Sequence, residues 1–207
     1  MKESPDKIRI KRALISSWRK PEALVLAKAL DRLGAKISAS GGTADAIIKA
    51  GINVERLSNR TGFDELLGGR VKTLHPAIYA GILVQHSKES DMEDLKRFDI
   101  QPFDLIAVDL YPFPQGSEKN LPIEESVELI DIGGVSLIRA AAKNYKWVSV
   151  ICSADLFEKF ASILEAGSGE IDGEYRRRLA IDAFRLTSRY DATIAERLAV
   201  EEQNRII

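Results

Sequence analysis

The chain has 207 residues, 45% hydrophobic and 29% charged, and Lys and Arg so nearly balance Asp and Glu that the formal charge is −1. That length allows one large domain, or a core with an extension, and either can bury a sizeable interior. The balance excludes a broadly basic nucleic-acid or membrane surface, so a bound anion needs a local group of cations.

Met1 to Lys7 reads as a charged lead-in with no apolar signal segment, and no run in the chain approaches the ~18 apolar residues of a membrane span. A cytoplasmic protein is expected. Ile8 to Ser16 alternates and then turns apolar, as a strand entering a sheet does. Ser16 to Lys20 follows its end, with Lys20 as a cation. Pro21 to Leu33 sets Leu24, Ala27, Leu30 and Leu33 at helical spacing, with Pro21 near the start and Gly34 past the end. Ala35 to Ala39 predicts a second strand, which runs into Ser40-Gly41-Gly42-Thr43. A helix ending at Gly51 follows, and Ile52 to Leu57 predicts a third strand.

This βαβ rhythm implies a parallel sheet, which holds ligands beyond the carboxyl ends of its strands. The turn at 40–43 stands at such an end. It is either a structural turn or a set of free amides that meets a phosphate at a helix N-terminus. Its pattern is neither GxGxxG nor GxxxxGK[ST], so neither a dinucleotide site nor a Walker-type site is indicated.

Gly68 to Leu83 reads GGRVKTLHPAIYAGIL. In an extended segment Arg70 and Lys72 project together, with Val71 between them and the Thr73 hydroxyl beside them. Pro76 biases His75 away from helix, so the basic part is loop or strand. Such a cation pair suits an anionic ligand; a solvated basic turn is the alternative.

Asp91 to Phe98 predicts an exposed helix, and Phe103 to Leu110 a central strand. Pro112 and Pro114 stop that strand at Tyr111, which is either a packing aromatic or a ligand contact. Residues 114–121 read as a loop. Ile123 to Ile130 is helical by spacing, Asp131-Ile132-Gly133-Gly134 interrupts, and Val135 to Asn144 resumes as helix. Asp131 serves there as a cap or as a site carboxylate. Lys143 stands near the far end, where a cation also suits the helix dipole. Trp147 to Cys152 predicts a strand with Cys152, the lone cysteine, as a small core residue. An amphipathic helix spans Asp155 to Ala166, residues 167–173 form a linker, and Glu174 to Gln203 a long helix. Its stripe of Leu179, Phe184, Leu186, Tyr190, Ile194 and Leu198 packs on the core or on a second subunit, with Arg176 to Arg178 on a solvated face.

The residues alone therefore offer a phosphate cradle with Lys72, Lys143, Tyr111 and Asp131. No His or carboxylate cluster has metal-ligand spacing. The set fits a small phosphorylated metabolite handled by proton transfer and oxyanion stabilisation, with no cofactor.

Four motifs in order, SGGT at 40–43, RVKTLHP at 70–76, LYPF at 110–113 and IDIGGVSLIRAAAKN from Ile130, closely resemble those of IMP cyclohydrolase. That domain is the N-terminal half of the bifunctional protein that also carries AICAR transformylase. The resemblance runs from about Ala13 to Leu198. It implies a methylglyoxal-synthase-like α/β fold, mostly parallel, with residues 1–166 as the nucleotide-binding core and 167–207 as linker and helical extension. It also implies a homodimer without metal or cofactor that closes FAICAR (5-formamidoimidazole-4-carboxamide ribotide) to IMP. By similarity Ser40, Gly41, Gly42, Thr43, Arg70 and Thr73 hold phosphate and ribose, while Lys72 stabilises the oxyanion. Lys143 carries a proton, Asp131 meets the carboxamide and Tyr111 the base, and Val108, Asp109, Ile132 and Gly133 line the site with Val71 nearby.

The sequence also departs from that pattern. Where the family commonly has SVSDKTGL, this chain has Ser16-Ser17-Trp18-Arg19-Lys20-Pro21-Glu22-Ala23. Ser16 and Lys20 keep register, but Trp18 replaces a ligand-touching serine and either clashes or stacks. Asp109 stands where Asn is usual, and Tyr79 where His is common. No transformylase half is seen, so the expectation is either a stand-alone cyclohydrolase with a separate transformylase or a piece of a longer protein cut at a domain boundary. Two rival readings are a methylglyoxal synthase-like lyase, disfavoured by the DIGG segment and long last helix, and a nucleotide-sensing module, which needs neither Lys72 nor Lys143.

Overall fold

The computed structural model describes residues 5–63, 67–113 and 121–204. Its strands are β1 (Lys7–Arg9), β2 (Arg12–Ser17), β3 (Lys36–Ala39), β4 (Glu55–Arg56), β5 (Leu105–Asp109), β6 (Ser149–Ile151) and β7 (Glu170–Asp172). Five of them form one parallel sheet in the order β4-β3-β2-β5-β6. Every residue of β5 is buried, as a parallel strand covered on both faces requires.

The helices are α1 (Lys20–Arg32), α2 (Gly41–Lys49), α3 (Leu57–Thr61), α4 (Pro76–Leu83), α5 (Glu89–Arg97), α6 (Ile123–Glu128), α7 (Gly133–Lys143), α8 (Phe157–Ala166) and α9 (Gly173–Asn204). α1 packs on α2 and α8, while α7 packs on β5, α4 and α9, which gives a helical layer on each face. The buried stripe of α1 is Ala23, Leu26, Ala27 and Leu30. Leu24 and Leu33, expected in that stripe, are only partly buried against its edge.

Four expectations change. The strand read over Ile8 to Ser16 is two strands, because β1 leaves the main sheet and pairs antiparallel with β7. Ile8 and Ile171 face each other there, both buried, so residues 167–173 carry a strand where a linker was expected. The strand over Ile52 to Leu57 shrinks to β4, since Leu57 already opens α3. Arg176, read as solvated, is 1% exposed. Its guanidinium donates to the carbonyl oxygens of Pro5, Tyr145, Lys146 and Ile171, which ties the chain's start, the loop before β6 and β7 to α9. The stretch 114–120 lies outside the described residues.

Candidate active site

The chain winds outward from β2 through β3 to β4, then returns to add β5 on the other side of β2. A crevice opens beyond the carboxyl ends of strands where their order reverses in this way. Here that point is Ser17 opposite Asp109, the last register pair of β2 and β5. A cleft of about 880 Å³ surrounds it, within the range of small-molecule sites.

One wall is built by β2, α1 and α2. The glycines at 41–42 do not form a free turn; they are the first residues of α2, with Ser40 as its N-cap. The Ser40 side chain makes no capping bond and lies 3.3 Å from the Ser16 hydroxyl instead, so the helix N-terminus faces the cleft. Thr43 fastens this turn to β2, donating from Oγ1 to the Ser17 carbonyl at 2.9 Å and accepting the Ser17 N–H at 3.2 Å. Lys20 Nζ donates to Thr43 Oγ1 at 3.2 Å and to the Ser17 carbonyl, which brings an ammonium to the same turn. Burial, and then the charge of Lys72, hold the Lys20 ammonium below the ordinary lysine range. A helix N-terminus with two lysines at one end of a cleft is an anion site.

The facing wall comes from residues 67–73 and from the α6–α7 junction. Arg70 and Lys72 both line the cleft, with Val71 between them outside it. Arg70 Nη2 donates to Glu128 at 2.5 Å, which links the loop to α6. Thr73 is 3% exposed and packs against Gly133, where an added methyl carbon would lie 2.5 Å from Thr73 Oγ1. Asp131 Oδ1 accepts the Gly134 N–H at 2.7 Å, so the carboxylate is pinned at the entry of α7. The Tyr190 hydroxyl, reaching over from α9, accepts the Asp131 N–H at 2.8 Å. Ile132 is exposed at this edge.

Trp18 and Tyr111 stand at the mouth, 45% and 48% exposed, with ring centroids 5.9 Å apart. Asp109 also borders the cleft, but its carboxylate is bound by the Arg19 guanidinium.

Five expected site residues lie outside the lining of this cleft. Arg19 turns away to pair with Asp109 and Asp155. Gly41 faces a neighbouring cavity of about 520 Å³, which shares Ser40, Gly42 and Lys72 with the cleft. Val71 is half-buried beside it, and Val108 is buried within β5. Lys143, the last residue of α7, is exposed. That helix has 11 residues, so Lys143 lies ~15 Å from the end that carries Gly133.

The reading of the sequence missed Ser17, Leu67, Gly68, the run Val127 to Ile130 and Gly134 in the lining, and Tyr190 behind it. The doubled glycine of DIGG is a signal for Gly134. Nothing local marks Glu128 or Tyr190, whose partners are 58 and 59 residues away.

The fold and cleft together define an open, doubly wound α/β domain whose switch point gathers cations from both walls beside a pinned carboxylate. The chain belongs to the MGS-like domain family, whose model matches residues 22–136. A second model, AICARFT/IMPCHase bienzyme, matches residues 141–206. Among similar proteins, the bifunctional purine biosynthesis protein PurH of Persephonella marina is 41% identical over 197 residues, covering 93% of this chain and 38% of that protein. PurH of Corynebacterium glutamicum strain R is 43% identical over 203 residues, 96% of this chain and 39% of its own length. The chain thus spans about two fifths of the curated relatives it matches. A solved structure titled as that of ForH superposes with a TM-score of 0.82 at 34% identity, covering 91% of this chain and 96% of ForH.

Proposed function

We propose that this chain is an IMP cyclohydrolase acting in purine biosynthesis, closing FAICAR to IMP with loss of water. One observation carries the reading: a single cleft lined by the α2 N-terminus and Lys20 on one wall, and by Lys72 and the pinned Asp131 on the other. The relatives' name, a bifunctional purine biosynthesis protein, supports the pathway.

In the proposed reaction the carboxamide nitrogen attacks the formyl carbon of the same molecule, forming a C–N bond. The formyl oxygen gains negative charge, receives one proton from the carboxamide nitrogen and one from the formamide nitrogen, and leaves as water as its C–O bond breaks and the ring C=N bond forms. An intramolecular attack needs the reactive conformer held more than it needs new chemistry. The α2 N-terminus, Ser16, Ser40 and Lys20 would grip the phosphate, with Arg70 and Thr73 near the ribose. Lys72 would meet the oxyanion. Asp131, held by Gly134, would take the carboxamide proton, and Tyr111 would border the base.

Lys143 is the expected proton carrier whose position outside this chain's cleft leaves it without a step here. Incubation with FAICAR, followed by the ultraviolet absorbance of IMP, tests the reading. Lys72→Ala should lower turnover far more than it weakens IMP binding. Absence of turnover by the unmutated chain, with IMP still bound, would favour a sensing module. Lys143→Ala decides that residue's part: turnover lost with IMP binding kept assigns it the step, and turnover kept removes it.

A further inference from the structure

Three departures of this sequence from the SVSDKTGL and LYPF pattern are Trp18 in place of Ser, Arg19 in place of Asp, and Asp109 in place of Asn. The fold brings all three together. Arg19 donates to the two oxygens of Asp109 from Nε at 3.0 Å and Nη2 at 2.9 Å, and from Nη1 to Asp155 at 2.5 Å. Asp109 also accepts the Ala154 N–H at 2.9 Å and the Ser17 hydroxyl at 3.5 Å. With these donors in place its carboxylate has little left to offer a ligand. The pair is a clamp rather than a contact: it fixes the backbone at 17–19 between the end of β5 and the start of the 154–156 turn.

The clamp carries Trp18. The Arg19 guanidinium lies 5.7 Å from the centre of the indole, which adds a cation–π contact to the backbone constraint. The indole then meets Tyr111 edge to face, at an interplanar angle of 62°. At 5.9 Å and that angle no ring fits between them as in a sandwich. The two instead make a corner, in which a flat ring lying on one presents its edge to the other. Both side chains are about half exposed and both line the cleft that holds Lys20, Arg70 and Lys72. Two large aromatics left open at the mouth of a polar cleft supply apolar, planar surface that only a planar group would cover well.

We infer that Trp18 is a specificity-determining residue that stacks on the heteroaromatic base of the bound nucleotide in a corner with Tyr111, and that Arg19 and Asp109 are the positioning pair that holds it there. This rests on the nucleotide reading of the cleft and adds how its base is selected. A ligand with the phosphate and ribose but no base gains nothing from the corner. The contrast between IMP and ribose 5-phosphate therefore isolates it.

Trp18 and Trp147 are the chain's two tryptophans. In a Trp147→Phe background Trp18 is the sole indole reporter. IMP should change its fluorescence and ribose 5-phosphate should not. By calorimetry, Trp18→Ser should lower the ratio of IMP affinity to ribose 5-phosphate affinity about tenfold, the scale of one base stacked on an aromatic side chain. Trp18→Phe should keep most of the ratio. Arg19→Lys should lower it as well, because an ammonium cannot reproduce the two-pronged bond to Asp109. A merely structural role for Arg19 would weaken both ligands equally.

An unchanged ratio in Trp18→Ser, or equal fluorescence responses to the two ligands, overturns the inference while leaving the nucleotide reading standing. Failure of the unmutated chain to bind either ligand overturns that reading and this inference with it.

Discussion

Lys20 and Lys72 approach one cleft from opposite walls, and the charge on Lys72 is second only to burial among the causes that depress the Lys20 ammonium. An anion bound between them relieves this. Binding of IMP should therefore take up a proton over the pH interval between Lys20's depressed value and its restored one. Within that interval IMP affinity falls as pH rises. The free chain behaves in the opposite sense: it is penalised where Lys20 is charged and gains stability as pH climbs toward the ordinary lysine value. Calorimetry in buffers of different ionisation heat reads the uptake directly. Lys20→Met should abolish the pH dependence and weaken IMP by roughly tenfold, the loss of a charge-assisted phosphate contact.

The tight seat of Asp131 predicts a second outcome. A methyl carbon added at Gly134 would lie 2.6 Å from Asp131 Oδ2 and 2.7 Å from Leu110 Cδ2. Neither distance is tolerable, and the carboxylate is the freer of the two to move. Gly134→Ala should leave a folded chain with its carboxylate displaced by about 1 Å, which costs on the order of a hundredfold in turnover. IMP formation and far-ultraviolet circular dichroism, measured together, check this. Full turnover would mean that Asp131 takes no part.

Tyr190 acts on the same carboxylate from behind. Its hydroxyl accepts the Asp131 N–H, so Tyr190→Phe leaves that amide unpaired at a cost of about 1 kcal/mol. If the hydroxyl positions Asp131, the loss should fall on kcat rather than KM, by roughly fivefold to tenfold. An equal kcat with a lowered Tm would restrict Tyr190 to stability.

Much of this arrangement was legible in the sequence because its causes are local. Gly-rich turns follow strands, prolines stop β5 near Tyr111, and the two-residue spacing of Arg70 and Lys72 sends both toward one side. What could not be read depends on partners far along the chain. Arg19 and Asp109 meet across 90 residues, and their charges cancel each other where each alone looked like a ligand contact. The β1–β7 pairing gives residues 170–172 a strand that their glycine-flanked sequence does not announce. Lys143 illustrates the converse, since helical rise already indicated that it and Asp131 stand at opposite ends of α7.

Cys152 offers a simple probe of the core. Burial pushes its thiol up to about 11, so almost no thiolate exists at pH 8. Iodoacetamide should leave the native chain unmodified under these conditions and alkylate it fully in denaturant. Mass spectrometry reads one added group in the second case. Rapid modification of the native chain would show that the β6 end opens readily.

The last prediction concerns Arg176, which is buried with Asp172 and Asp6 favouring its charge only at a distance. Among the described residues no acidic side chain bonds its guanidinium; its partners are the carbonyl oxygens of Pro5, Tyr145, Lys146 and Ile171. Ile171 belongs to β7, but Pro5, Tyr145 and Lys146 lie outside the strands, so the arginine is the donor that lets their carbonyls be buried together. Arg176→Met keeps most of the apolar stem and removes every donor. The stranded carbonyls should cost about 3 kcal/mol in total, near the range for hydrogen bonds to a charged group. For a chain of this size that is a fall in Tm of roughly 6–12 °C. Because the four carbonyls lie on the far side of the fold from Lys20 and Asp131, IMP affinity below the transition should stay unchanged. A Tm that does not move would mean that water replaces the guanidinium and that α9 is held to the core by its apolar contacts alone.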